Sequence, residues 1–149
     1  MSASPTVDEA GEGGIMSEQD VELFNDSLER CTRTSGFLDR FYELFMASSE
    51  EVAEKFKHTD FRKQKRALRT SLYVMMLVNE GKAEGDAHLE RIARLHSRSE
   101  LDIKPELYEL WLDCLIRAVK DFDPLCNSET EKAWRNIMRA GIEFMKSKY

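Results

Sequence analysis

Residues 86 to 97 read Asp-Ala-His-Leu-Glu-Arg-Ile-Ala-Arg-Leu-His-Ser, and this stretch decides between the possible fold classes. Its apolar side chains recur every three or four residues, which is the period of a helix with one buried face. Leu89, Ile92 and His96 follow the spacing i, i+3, i+7, so a helix places an imidazole on its apolar side. His88 falls near the same side, but it lies in the first turn, where we favour a surface role.

The same periodicity extends in both directions along the chain, and no segment alternates polar and apolar residues as a half-buried strand does. The sequence predicts a first helix starting at Ser17, a second from about Thr34 to Ala47, a short one through Val52 and Phe56 and a long one carrying Leu68 to Leu77. It predicts three more helices: one from about Asp86 to Ser97 that carries Leu89, Ile92 and Leu95, one from Pro105 through Val119 and one from Ser128 through Met145. The sequence therefore predicts an all-α fold of six to eight helices.

Capping residues mark several of the helix ends. Ser48 with Glu51, and Ser128 with Glu131, have the spacing of a capping box, in which Ser and Glu side chains satisfy the first backbone N–H groups. Asp123-Pro124 ends the helix before the second box, because proline cannot continue a helix.

Composition excludes several classes of protein. The 149 residues carry a formal net charge of −6, which argues against nonspecific nucleic-acid binding. No apolar run approaches the roughly 20 residues needed to span a bilayer, so we expect no membrane insertion. Residues 1–16 are poor in apolar groups and are expected to form a disordered tail, which leaves 17–149 as one domain. Without an export signal, and with only three scattered cysteines, a cytoplasmic location is expected.

Two segments give the chain a family resemblance. Arg91-Ile-Ala-Arg-Leu-His96 and Ile103-Lys-Pro-Glu-Leu-Tyr108 resemble the proximal region of bacterial single-domain globins and of the globin domain of flavohaemoglobins. In that region an Ile-Ala-x-x-His sequence ends in the iron-binding histidine, and Lys-Pro-Glu-x-Tyr opens the next helix. Further segments resemble the distal half of the pocket and the start of the last helix: Phe41-Tyr42, Phe56, Gln64-Lys-Arg-Ala-Leu68 and Ala133-Trp134.

The resemblance implies a globin fold around a haem b. Carried over position by position, it makes His96 the proximal iron ligand, places Phe56 against the porphyrin, Tyr42 and Gln64 on the gas-binding side, Leu68 beside the ligand, and Tyr108 on the proximal side near His96. The second ring nitrogen of the ligating histidine is then expected to donate to a carbonyl or hydroxyl group.

The predicted distal pair suits a ligand that carries negative charge. Oxygen held by ferrous haem accepts electron density, and the phenol of Tyr42 and the amide of Gln64 are both hydrogen-bond donors. A hydrogen bond to a charged acceptor contributes roughly 1.5–3 kcal/mol. Carbon monoxide carries less charge and gains less.

The leading interpretation is reversible binding of a diatomic gas (oxygen, NO or CO), with oxygen transport or storage first. Three alternatives stay open: a gas sensor acting through a partner chain, an NO dioxygenase served by a reductase in trans, and a haem-free helical interaction module. Trp111, Cys114 and Trp134 could contribute to a homodimer surface, although core packing explains the tryptophans as well.

A basic run stands out in this acidic chain. It comprises Arg62-Lys-Gln-Lys-Arg66 together with Arg69. A solvated helix face is the first interpretation. Pairing with the haem propionates and docking of an acidic reductase are the others.

Overall fold

The computed structural model describes residues 17–79, 83–99 and 101–149. The tail predicted for residues 1–16 lies outside the described residues. Within them the chain forms seven helices and no strand: α1 Glu18–Thr32, α2 Gly36–Ser48, α3 Glu50–Lys55, α4 Phe61–Asn79, α5 Ala83–His96, α6 Glu106–Phe122 and α7 Ser128–Ser147. The all-α prediction is confirmed.

Three pairs of helices make the main contacts: α1 with α7, α2 with α6, and α4 with α5. Aromatic rings from α1, α2 and α7 fill the centre, since Trp134 is fully buried against Phe24 and Phe37 at ring-centroid distances of 4.7 and 6.4 Å. Edge-to-face contacts of this kind add to the apolar burial. Trp134 and Cys114 are thus core residues, and neither is available to a homodimer surface.

A buried polar cluster joins α1 and α7 to the end of α6. The Asp123 carboxylate, 2 % exposed, accepts hydrogen bonds from the Ser27 hydroxyl at 2.6 Å and from the Arg30 guanidinium at 2.5 and 3.0 Å. The indole N–H of Trp134 donates to the same Ser27 hydroxyl at 2.9 Å. Burial opposes ionisation of Asp123, but these donors outweigh it and hold its pKa below the usual value.

Both capping-box predictions are wrong by one residue. Ser49, not Ser48, caps α3 by accepting from the backbone N–H groups two and three residues later, while the Ser48 hydroxyl donates to the Phe45 carbonyl. The cap of α7 is Asn127, whose side chain accepts from Thr130, and the predicted cap residue is the first residue of that helix. In each case two adjacent residues can cap, and the direction of the incoming chain selects one.

Two helix starts also differ from prediction. α2 begins at Gly36 rather than near Thr34, and α5 begins at Ala83, three residues earlier than expected. Of the leucines that α5 carries, Leu89 is buried, whereas Leu95 is 51 % exposed. It lies 100° around the helix from His96, toward the solvent. No helix in the described part of the chain is long and apolar enough to cross a membrane.

Candidate functional site

The Tyr42 hydroxyl on α2 and the Gln64 amide on α4 meet. Gln64 lies one turn into α4, and its Nε2 donates to the Tyr42 hydroxyl oxygen at 3.1 Å. Tyr42 is only 5 % exposed, and burial raises its pKa to about 12. The phenol therefore stays protonated at any physiological pH. Because it accepts from Gln64, its own proton is left to donate, and no acceptor for it lies among the described residues.

Aromatic rings surround the Tyr42 ring. Phe56 caps the end of α3 and Phe61 opens α4, and their ring centroids lie 5.6 and 5.4 Å from that of Tyr42. The two phenylalanines are 5.9 Å apart. Leu68, one turn beyond Gln64, is buried on the same side of α4. The donors of Tyr42 and Gln64 therefore stand at the edge of an apolar lining, where a hydrogen bond is stronger than in water.

His96 is the last residue of α5, and it faces α6. Its Nδ1 lies 3.4 Å from the hydroxyl oxygen of Tyr108, in the first turn of α6. Burial lowers the pKa of His96, so the imidazole is neutral at pH 7. Nδ1 is directed at Tyr108, and no hydrogen-bond partner for Nε2 lies within the described residues.

The loop after His96 wraps the end of α5. Three of its backbone N–H groups donate to the last carbonyls of the helix, among them Ile103 to the carbonyl of His96 at 3.0 Å and Leu101 to that of Leu95 at 3.0 Å. Asp102 turns the chain with a φ of 54°, in the left-handed region. The side chains of Leu95 and Leu101 are about half exposed.

Contacts from two other segments hold this loop. Lys55, at the end of α3, donates to the Leu101 carbonyl at 3.2 Å. On the other side the hydroxyl of Tyr149 donates to the Asp102 carboxylate, and the guanidinium of Arg98 lies 4.8 Å above the Tyr149 ring. The segment that bears His96 is thus bound both to the chain before α4 and to the chain after α7.

The other two histidines are placed differently. His88 is partly exposed in α5 with its Nδ1 3.3 Å from the Arg91 guanidinium, which agrees with the surface role favoured for it. His58 is exposed in the turn before α4. Only His96 combines an inward position, a neutral ring and a hydroxyl neighbour.

Sequence reasoning missed Phe61 and the contact of Tyr149 with the loop. Phe61 could have been found from its spacing, since it lies three residues before Gln64 and thus on the same side of a helix. Tyr149 carried no comparable signal, because its partners Arg98 and Asp102 lie far away in sequence and are polar.

A solved structure resembles most of this chain. It is the crystal structure of a protein from Pseudomonas aeruginosa PAO1 that is described as structurally highly homologous to a human hemoglobin. The two proteins are 41 % identical, the match covers 87 % of this chain and 98 % of the other, and the TM-score is 0.84. No protein-family model and no curated protein matches the chain.

Proposed function

The chain belongs to the family of that protein, the haemoglobin-like single-domain globins of bacteria, and we propose that it binds haem b through His96 and holds oxygen or another diatomic gas reversibly. The observation that carries this proposal is the state of His96. The imidazole is neutral, and when Nδ1–H donates to the Tyr108 hydroxyl, Nε2 carries the lone pair that would ligate iron.

The remaining residues fit a porphyrin. Phe56, Phe61 and Leu68 provide an apolar surface for its face. Together with the neutral imidazole of His96, these side chains support the proposal of haem binding.

When bound, haem b supplies a ferrous iron with one position open to a diatomic gas. Tyr42 and Gln64 would then provide the hydrogen bonding on the side where the gas binds. The Tyr42 hydroxyl has a proton to donate, and Gln64 orients that hydroxyl by donating to its oxygen. The pair would stabilise a ligand that carries negative charge, and therefore bound oxygen more than bound carbon monoxide.

Absorption spectra test the proposal. The purified protein is titrated with haemin, and spectra are taken oxidised, reduced, and reduced under carbon monoxide. We expect a Soret band that shifts on reduction and shifts again with carbon monoxide. A protein that stays colourless after haemin addition would remove haem binding altogether.

Two histidine variants test the ligand. In His96→Ala we expect haem affinity and the ferrous spectrum to change, and added imidazole to restore the spectrum by filling the vacated space. His88→Ala is the matched control, because it removes a histidine from the same helix and should leave the spectrum unchanged. Unchanged spectra in His96→Ala, or the larger effect in His88→Ala, would reject His96 as the ligand.

A further inference from the structure

A concave groove lies between the start of α2 and the first half of α4, on the outside of the domain. We call it the basic groove. It is lined by Ser35, Leu38, Arg62, Lys65, Arg66 and Arg69. The four cations follow the spacing i, i+3, i+4, i+7, so they share one face of α4. Gln64 and Leu68 lie on a different face of that helix, toward the core.

Positive charge in this groove is incompletely balanced. Lys65 pairs with Asp39 of α2. No ion pair joins Arg62, Arg66 or Arg69 to another described residue, and all three are exposed. Like charges three and four residues apart on a helix repel each other. In a chain with a net charge of −6, such a cluster favours a negatively charged occupant.

The α2 side of the groove adds two features that suit an anion. Ser35 precedes α2, but its hydroxyl makes no capping hydrogen bond, so it is available as a donor. The groove also faces the first turn of α2, where the helix dipole is positive and backbone N–H groups lack helical acceptors. Charge on α4, a hydroxyl and a helix start thus converge on one concavity.

From this convergence we propose that the basic groove binds a compact polyanion that carries phosphate groups. The planar guanidinium groups of Arg62, Arg66 and Arg69 match phosphate oxygens in bidentate geometry, which a single lysine cannot do. The groove is formed by one helix face and the start of another, which suits a small ligand. This site goes beyond gas binding and needs no haem.

Isothermal titration with inorganic pyrophosphate tests the site in phosphate-free buffer at low ionic strength. We expect saturable binding with one pyrophosphate per chain, tighter than that of inorganic phosphate, and weakening as salt screens the charges. Arg62→Gln and Arg66→Gln should each weaken binding about tenfold or more, because each removes charge-assisted hydrogen bonds. All of these substitutions lie on exposed positions, and a melting curve for each variant checks that it is folded.

Lys63→Gln is the matched control. Lys63 lies on the same helix and is exposed, and its loss removes the same charge, but it does not line the groove. Binding in this variant should stay within about twofold of the wild type, as expected for a screened surface charge. Equal losses in Lys63→Gln and Arg66→Gln, or no saturable binding, would overturn the proposal. It would also fall if a polyglutamate peptide bound through the arginines while pyrophosphate did not, since the groove would then be a docking surface for an acidic protein.

Discussion

Replacing Tyr42 by phenylalanine is the sharpest test of the proposed gas-binding side. The substitution removes one hydroxyl and keeps the ring, so the edge contacts with Phe56 and Phe61 remain and no cavity forms. The lost group is the one buried hydroxyl at this site with a proton free to donate. The change therefore isolates a single hydrogen bond.

The size of the effect follows from two opposing terms. A hydrogen bond to a charged acceptor contributes roughly 1.5–3 kcal/mol, which corresponds to about a 10- to 150-fold faster release of oxygen. Gln64 loses its acceptor in the variant, and its amide can then turn toward the gas and recover part of that free energy. We expect an increase of about tenfold to thirtyfold in the oxygen dissociation rate.

Stopped-flow displacement of oxygen by carbon monoxide measures this rate. Carbon monoxide dissociation should change much less, because that ligand carries little charge. Tyr73→Phe is the control: it removes a hydroxyl that is 3.3 Å from Thr32 on the surface. An oxygen dissociation rate in Tyr42→Phe within about threefold of the wild type lies below the smallest contribution expected and would refute the role of Tyr42. Since burial raises the pKa of Tyr42 to about 12, the wild-type rate should also stay constant between pH 7 and 10, a range set by that value.

Three further substitutions probe the fold and the haem side. Asp123→Asn should lower the free energy of unfolding by about 3 kcal/mol, because it breaks a buried ion pair, whereas Asp121→Asn on the surface should cost less than about 1 kcal/mol in the same urea titration. Because the pKa of Asp123 is lowered in the folded protein, its contribution to the free energy of unfolding is present above the unfolded pKa of about 3.9 and is lost as the pH falls below it. The difference in free energy of unfolding between the wild type and Asp123→Asn should therefore shrink in acid, and a difference that grows there would contradict the assignment. Gly85→Ala should destabilise by about 1–3 kcal/mol in thermal melting, since its new methyl would lie 2.7 Å from a backbone nitrogen of α4, while Gly36→Ala meets only a side-chain ring at 3.1 Å and should cost less. Tyr108→Phe should speed haem loss to apomyoglobin about tenfold, and an unchanged rate would show that its hydroxyl does not orient the ligand.

The sequence predicted the elements of this fold better than their ends. The helical class and the inward position of His96 follow from the period of the apolar residues, which is a local property. The cap of α3 could not be assigned in the same way, because Ser48 and Ser49 are both serines and only the tertiary path decides which hydroxyl reaches the N–H groups. The exposure of Leu95 was not predicted either, since a single apolar residue at the edge of a helical stripe can lie on either side.

Contacts between residues that are distant in sequence could not be predicted from the spacing of the apolar residues. Gln64 and Tyr42 are 22 residues apart. The family resemblance placed both on the expected gas-binding side, but it did not predict the hydrogen bond between them. The Asp123 cluster joins residues 96 apart in the chain, and an aspartate before a proline predicts only a helix end. The polar partners of both clusters therefore depend on how α2 packs against α4 and how α1 and α7 pack against α6, which no single segment encodes.

Tyr108 and Asp123 lie at opposite ends of α6, which separates the proposed binding site from the cluster that stabilises the fold. Tyr108, which faces His96, lies in the first turn of α6, and Asp123 follows its last residue, so about 15 residues or roughly 22 Å of helix divide them. Sites this far apart with no shared partner contribute nearly additively. The Asp123 cluster can therefore hold α1 and α7 against α6 without constraining the loop that follows His96. It follows that Asp123→Asn should lower the unfolding free energy of the protein and leave its ferrous spectrum unchanged. Tyr108→Phe should change the ferrous spectrum and leave the unfolding free energy unchanged.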